Sequence, residues 1–321
     1  MLKRFLAAWP FLVGLTVLGA GVVSGQDFPT KPIRIIASPP GGANNFVARL
    51  VAQGLTDSVG WQVIVDNRPS GGFIQGELLA RAAPDGYSLL VVAGTFTIGP
   101  LFEKAPYDVV RDFSPVTLVA TSPSILVVHP SMPVRSVKEL IALARARPGE
   151  LNFSTSGTGS ANHLPAELFK SMAAVDIVRV NYKGAGPAIT ALIGGEVHLM
   201  FATAGSAAPH IKSSRVRALA VTSAQPSALL PGLTTIGASG LPGYDFVSPF
   251  GLIAPGKTPQ AIINRLNQEI VRVINQPEVK QKFSDTGTEV VGNSPEEYGA
   301  AIRSELAKWG KVIKDAGLGA R

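Results

Sequence analysis

Two stretches of the chain place small residues and polar side chains directly before a helical pattern. They are Ser38-Pro39-Pro40-Gly41-Gly42-Ala43-Asn44-Asn45 and Ser154-Thr155-Ser156-Gly157-Thr158-Gly159-Ser160. The chemistry they suit is the holding of an anion. A helix start carries unpaired backbone N–H groups and the positive end of a dipole, and glycine lets a ligand approach the backbone. In the first stretch Gly41, Gly42 and Ala43 would supply amides, with Ser38, Pro40 and Asn44 beside them, and Asn45 would cap the helix or touch the ligand. In the second, Ser154, Ser156, Gly157, Gly159 and Ser160, with His163 in the first turn, make a cradle for carboxylate or phosphate. Each loop taken alone is equally a tight turn before a capped helix. Two more turns precede helical patterns, at 67–73 and 182–188, and the second adds Tyr182 and Lys183. Lys183 would pair with an anion or stand as a plain surface charge.

Other chemistries lack their residues. The Ser/Gly loop at 154–160 lacks the Gly-Lys-Ser/Thr that a phosphate loop carries at the helix start, and it lacks the G-x-G-x-x-G of the dinucleotide fingerprint. The histidines, His129, His163, His198 and His210, have no metal-binding spacing, and there is no cysteine to supply a thiolate or a disulfide. No G-x-S-x-G elbow occurs. A serine-type hydrolase would have to rest on Ser160 and His163, with Glu167 one turn on, and it lacks an evident orienting acid and oxyanion geometry. The expectation is therefore no catalytic residue, no metal and no cofactor.

The loops need rigid elements to hold them. Residues 33–37 have the pattern of a buried strand, 46–55 of a helix, 61–65 of a strand, 73–81 of a helix and 84–94 of a turn and strand. Strand, helix, strand in alternation means right-handed crossovers and a mostly parallel sheet. A long apolar strand follows at 116–129 with a Ser-Pro break in its middle, then a helix at 137–146 capped by Ser136. The strand, loop and helix order then repeats from 151 to 222, and a last strand lies at 250–254. Beyond Thr258 only amphipathic helices are expected, at 259–274, 277–284 and 295–316, each with a proline near its start. The fold class is thus α/β with two lobes, each a mostly parallel sheet flanked by helices. Lobe 1 is 26–124 plus 251–321, lobe 2 is 125–250, and the hinge strands are 120–126 and 249–254. Such lobes close on a ligand by hinge motion.

The N-terminus has Lys3 and Arg4, then an apolar run from 5 to 23, then Val23-Ser24-Gly25. This is the pattern of a signal peptide cleaved near Gly25, and it predicts an exported protein. The net charge is +7, and losing Lys3 and Arg4 leaves +5. The basic residues are scattered without interleaved aromatics, which argues against nucleic-acid binding. A mild positive excess suits an anionic small ligand.

The ordered set "KPIRIIASPPGGANNFVARLVAQGL", "VDNRPSGGFIQGELLARAAPDGYSLLV", "NFSTSGTGSANHLPAELF", "VNYKGAGPAITALIGGEVHLMF" and "PFGLIAPGKTP" resembles the substrate-binding proteins of tripartite tricarboxylate transporters, the Bug family. The resemblance spans residues 27–320. It implies a periplasmic, type II-like Venus-flytrap receptor, a monomer, that holds a carboxylate between the Pro-Gly-Gly loop and the Ser/Gly loop. It also implies delivery to a two-component membrane permease, or, for an orphan, a role as a periplasmic ligand sensor for a membrane signalling partner. Four positions depart from the family pattern: Ser38 for Phe, Asn45 and Ala202 for Asp, and Pro249 for Trp. Losing the acids disfavours a ligand with an ammonium group, and losing the aromatic bulk widens the pocket.

Overall fold

In β1 (Ile33–Ala37), Ile33, Ile35 and Ile36 are all fully buried, so both faces of the strand are covered. That is the mark of a sheet with helices on each side. The computed structural model describes residues 28–40, 43–69, 73–157, 159–227 and 230–315. The expected signal peptide, Gly41 and Gly42 lie outside the described residues.

After β1 come α1 (Ala43–Val59), β2 (Val63–Asn67), α2 (Ile74–Ala80), β3 (Ser88–Ala93) and α3 (Gly94–Phe102). β1 pairs in parallel with β2 and β3, in the register Ile35↔Val65 and Ile35↔Leu89. β4 (Phe113–Val128) then carries the chain into α4 (Val137–Ala146), β5 (Asn152–Thr155), α5 (Leu164–Ala173) and β6 (Val178–Asn181). α6 (Ala185–Ile193), β7 (Leu199–Thr203), α7 (Ala204–Lys212) and β8 (Arg217–Val221) complete the second half. β9 (Val247–Pro255) returns to the first, followed by α8 (Gln260–Ile274), α9 (Pro277–Asp285), β10 (Glu289–Val290) and α10 (Pro295–Asp315).

The hydrogen-bonded path is β2-β1-β3-β9-β4-β7-β5-β6, with β8 and β10 also on β4. The outer strands are parallel; β9 and β4, which carry the chain between the lobes, run antiparallel to their neighbours. β4 serves both lobes. Its residues 113–123 pair with β9, and 124–128 pair with β7 and β8.

Three features differ from the sequence expectation. The Ser-Pro break at 122–123 does not interrupt β4. Pro123 is the last residue to face β9, so its missing N–H falls where the partner strand changes. Helices α3 and α7 follow β3 and β7 directly, although each carries a proline inside, Pro100 and Pro209. The short β10 pairs with β4 at Val290↔Ala120, past the point where only helices were expected.

Each lobe has an apolar core on both sheet faces. In the first, Val47, Val51 and Leu55 of α1 pack with Leu266, Ile270 and Val273 of α8 on one face, while Tyr298 and Ile302 of α10 cover Val92 and Ile253 on the other. α10 does not stop there. Trp309 and Ile313 enter the core of the second lobe beside Phe153 and Phe169.

Candidate functional site

β1, β3, β5 and β7 all end at one place, and each hands over to a helix. The space beyond the carboxyl ends of parallel strands is where α/β folds bind ligands. Here it is a cleft of about 520 Å³, within the ordinary range for small-molecule sites. Ser38, Pro39, Pro40, Ala43 and Asn44 line it from the β1–α1 turn, and Ala93, Gly94 and Thr95 from the β3–α3 turn. The second lobe supplies Ser156, Gly159, Ser160 and Ala161 from the β5–α5 connection and Thr203 from the β7–α7 junction. Ser122 on β4 and Phe246, Ser248, Pro249 and Phe250 in and before β9 form the back wall.

Among the described residues no charged side chain lines this cleft. What it offers is helix starts, two from each lobe. Neither α3 nor α7 has a side-chain cap, so first-turn N–H groups are left for another acceptor. Their aligned dipoles favour an anion without a counter-charge.

The hydroxyls differ in how far they are already committed. Ser122 Oγ donates to Gly287 O at 2.8 Å, Thr203 Oγ1 to Ser206 Oγ at 2.9 Å and Ser156 Oγ to Asn162 Oδ1 at 2.9 Å. Ser160 Oγ shares a hydrogen with Thr155 Oγ1 at 3.1 Å, and Asn44 Nδ2 spends one of its two hydrogens on Val91 O at 3.2 Å. Ser38 Oγ and Ser248 Oγ, by contrast, are buried with no hydrogen-bond partner among the described residues. A buried unpaired hydroxyl is costly. Both residues line the cleft.

Of the residues singled out from sequence, the structure brings Ser38, Pro40, Asn44, Ser156, Gly159 and Ser160 to the cleft. Seven others do not line it. Asn45, one residue past Asn44 and so about 100° around the helix, is buried, and its Oδ1 accepts from Arg49 Nε at 3.1 Å. Ser154 lies inside β5 with its hydroxyl unpaired, away from the cleft. Gly157 shapes the loop, its N–H donating to Thr155 Oγ1 at 3.2 Å. Ala202 is buried against the sheet's far face, while its neighbour Thr203 faces the cleft, as strand alternation requires. Tyr182 Oη donates to Glu196 Oε2 at 3.4 Å and Lys183 is solvent-exposed, both outside the cleft wall.

His163 is fully buried and braces the Ser/Gly loop from behind. Gly159 N–H donates to its Nδ1 at 3.0 Å, and its Nε2 lies 2.8 Å from Arg179 Nη1 and 3.5 Å from Glu167 Oε1. Neither ring nitrogen is bonded to Ser160 Oγ, so the pair is not set as nucleophile and base. Burial pushes the Glu167 carboxyl up, but His163 and Lys170, whose Nζ is 3.4 Å from Oε2, together hold it below the usual carboxylate range.

Sequence reasoning missed Thr95, Ser122, Thr203, Phe246, Ser248 and Phe250. Thr95 and Thr203 carried a faint signal, since "VVAGT" and "FATAGS" repeat the strand, small residue and helix order. Ser122 and Ser248 face each other across β4 and β9, and no local motif marks that pairing.

The model of the tripartite tricarboxylate transporter family receptor matches residues 47–318. The chain belongs to this family. It is 34% identical over 314 residues to the protein BugT of Bordetella pertussis, covering 95% of this chain and 96% of that one. Among solved structures it is similar to R. palustris Rpa4515 with adipate, with a TM-score of 0.80 and 35% identity, covering 92% of this chain and 100% of the other. It is also similar to MatC of Rhodopseudomonas palustris with bound malate, with a TM-score of 0.76 and 27% identity over 89% of this chain and 100% of that chain. The two-lobe receptor fold is thus that of a solute-binding family and not of an enzyme.

Proposed function

We propose that this receptor holds a small organic carboxylate in the cleft between its lobes, in the periplasm, and delivers it to a two-part membrane permease. The observation that carries this reading is the convergence of helix starts from both lobes on a cleft without charged walls. Ser38, Thr95, Ser160 and Ser248 serve the ligand as donors, and Asn44 turns its second amide hydrogen to it. Adipate and malate in the similar R. palustris structures support the class of ligand. The unpaired Ser38 and Ser248 hydroxyls, on residues that line the cleft, are further donors available to such a ligand.

The remaining expectations belong to the same proposal. Residues 1–25 are removed on export, and among the described residues no helix is long and apolar enough to cross a membrane. Residues 26–124 and 251–321 move as one lobe and 125–250 as the other, and the mature chain is a monomer. Light scattering after size-exclusion chromatography and the mass of the exported protein check these points.

Calorimetry and thermal denaturation of the mature protein with adipate, malate and neutral sugars test the central claim. A carboxylate at a hundred times its Kd should add about 2.7 kcal/mol to stability. Binding of sugars or metal ions without any carboxylate would overturn it.

A further inference from the structure

Helix α3 begins where β3 of the first lobe ends, but its apolar side chains are shared with the second lobe. Ile98 is buried in the second-lobe core, and Leu101 and Phe102 pack against that core. α3 also meets the Ser/Gly connection of the second lobe at both of its ends. At its start, Thr95 Cγ2 stands 3.7 Å from where a Cβ would sit on Gly159, an ordinary contact distance. At its last residue, the Phe102 ring lies against the His163 ring, with centroids 6.0 Å apart and planes at 50°. Aromatic rings attract at such separations when offset or tilted.

One side chain joins these contacts. His163 Nδ1 accepts the Gly159 N–H at 3.0 Å, so one edge of the ring fixes the loop while Phe102 packs on the ring itself. His163 is fully buried, and a close-packed side chain moves only when its neighbours move. Gly159 and Ser160, at the loop it holds, line the cleft, whereas Phe102 and His163 do not. A first-lobe side chain thus reaches the second-lobe half of the clamp without entering the space a ligand would fill.

We propose that His163 is a positioning residue through which Phe102 of the first lobe sets the Ser/Gly loop of the second, so that seating α3 on the second lobe and gripping the carboxylate are one event. The inference rests on the carboxylate reading of the cleft, and adds to it a route by which one lobe governs the other lobe's half of the site. Contacts that belong to the gripping arrangement alone favour it and so contribute to affinity. Removing such a contact weakens binding even though the residue never touches the ligand.

Calorimetry with adipate and malate, paired with thermal denaturation, decides the matter on the mature native chain, Phe102→Ala, His163→Asn, the double variant and Leu101→Ala. Asparagine keeps an acceptor near the place of Nδ1 but has no ring for Phe102 to cover. Phe102→Ala and His163→Asn should each weaken binding of the tighter acid about five-fold, and the double variant no more than either alone, because both break the same link. Leu101→Ala loosens the same core and should lower the thermal midpoint while leaving affinity within about two-fold. If the thermal transition shows His163→Asn unfolded, His163→Gln completes the cycle. Unchanged affinity in Phe102→Ala, a double variant whose loss is the product of the two single losses, or an equal loss in Leu101→Ala overturns the link and leaves the carboxylate reading standing. Binding of neither acid by the native chain overturns both.

Discussion

Ser38, Ser154 and Ser248 bury hydroxyls with the same unmet demand, yet only Ser38 and Ser248 face the cleft. This separates affinity from stability. Replacing any of the three by alanine removes an unpaired buried polar atom, so folding stability should hold or rise slightly. Ser38→Ala and Ser248→Ala should each weaken carboxylate binding by about ten-fold, the worth of one hydrogen bond to a charged group. Ser154→Ala should leave binding unchanged. Calorimetry paired with thermal denaturation distinguishes the two effects, and a loss of affinity in Ser154→Ala would refute this division. At this scale the sequence was partly legible. "SPPGGANN" announced a helix start, but which asparagine lines the cleft depends on a rotation of about 100° per residue. A one-residue error in where the helix begins is enough to exchange Asn44 for Asn45.

The β5–α5 connection shows how an element holds its loop. Gly159 is tied to His163, and His163 to Arg179 and Glu167, so the loop depends on groups that do not line the cleft. Because Glu167 titrates below its unfolded value of 4.5, the unfolded chain takes up protons first as pH falls. This contribution is complete above pH 4.5 and is lost below it, as pH falls through the lowered value. Glu167→Gln should cost about 1–3 kcal/mol at neutral pH and flatten the acid limb of a stability–pH curve, measured by urea denaturation. An unchanged acid limb would show the carboxylate to be unimportant. Elements with strong periodicity, such as α1, α8 and α10, were legible from the chain alone. α3 and α7 were not, because Gly94, Pro100, Gly205 and Pro209 break helical propensity, and only packing on the strands before them makes them helices.

At the scale of the whole molecule, β4, β9 and α10 join the lobes. The two strands were visible as hinge candidates because the strand-and-helix pattern restarts between them. The reach of α10 was hidden, since an amphipathic helix does not say which core it covers. Its Trp309 is fully buried among second-lobe side chains, edge-on to Phe246 at 6.0 Å, with Nε1 donating to Glu305 Oε2 at 2.9 Å. Trp309→Ala should cost about 3–5 kcal/mol, read from the midpoint of chemical denaturation. A cost below about 1 kcal/mol would mean the end of α10 is only loosely attached.

The uncharged wall of the cleft has one more consequence. No carboxylate, imidazole or amine among the described lining residues changes protonation as the surroundings acidify. Capture should therefore follow the cargo's own acid dissociation, with Kd level while the acid is ionised and rising only as it takes up its proton. The periplasm exchanges small ions with the outside, and a receptor built this way would keep its loading steady across external acidity that neutralises none of its cargo. A series of Kd values against pH, for two acids of different pKa, should give two curves displaced by that difference. Coincident curves would place the controlling proton on the protein.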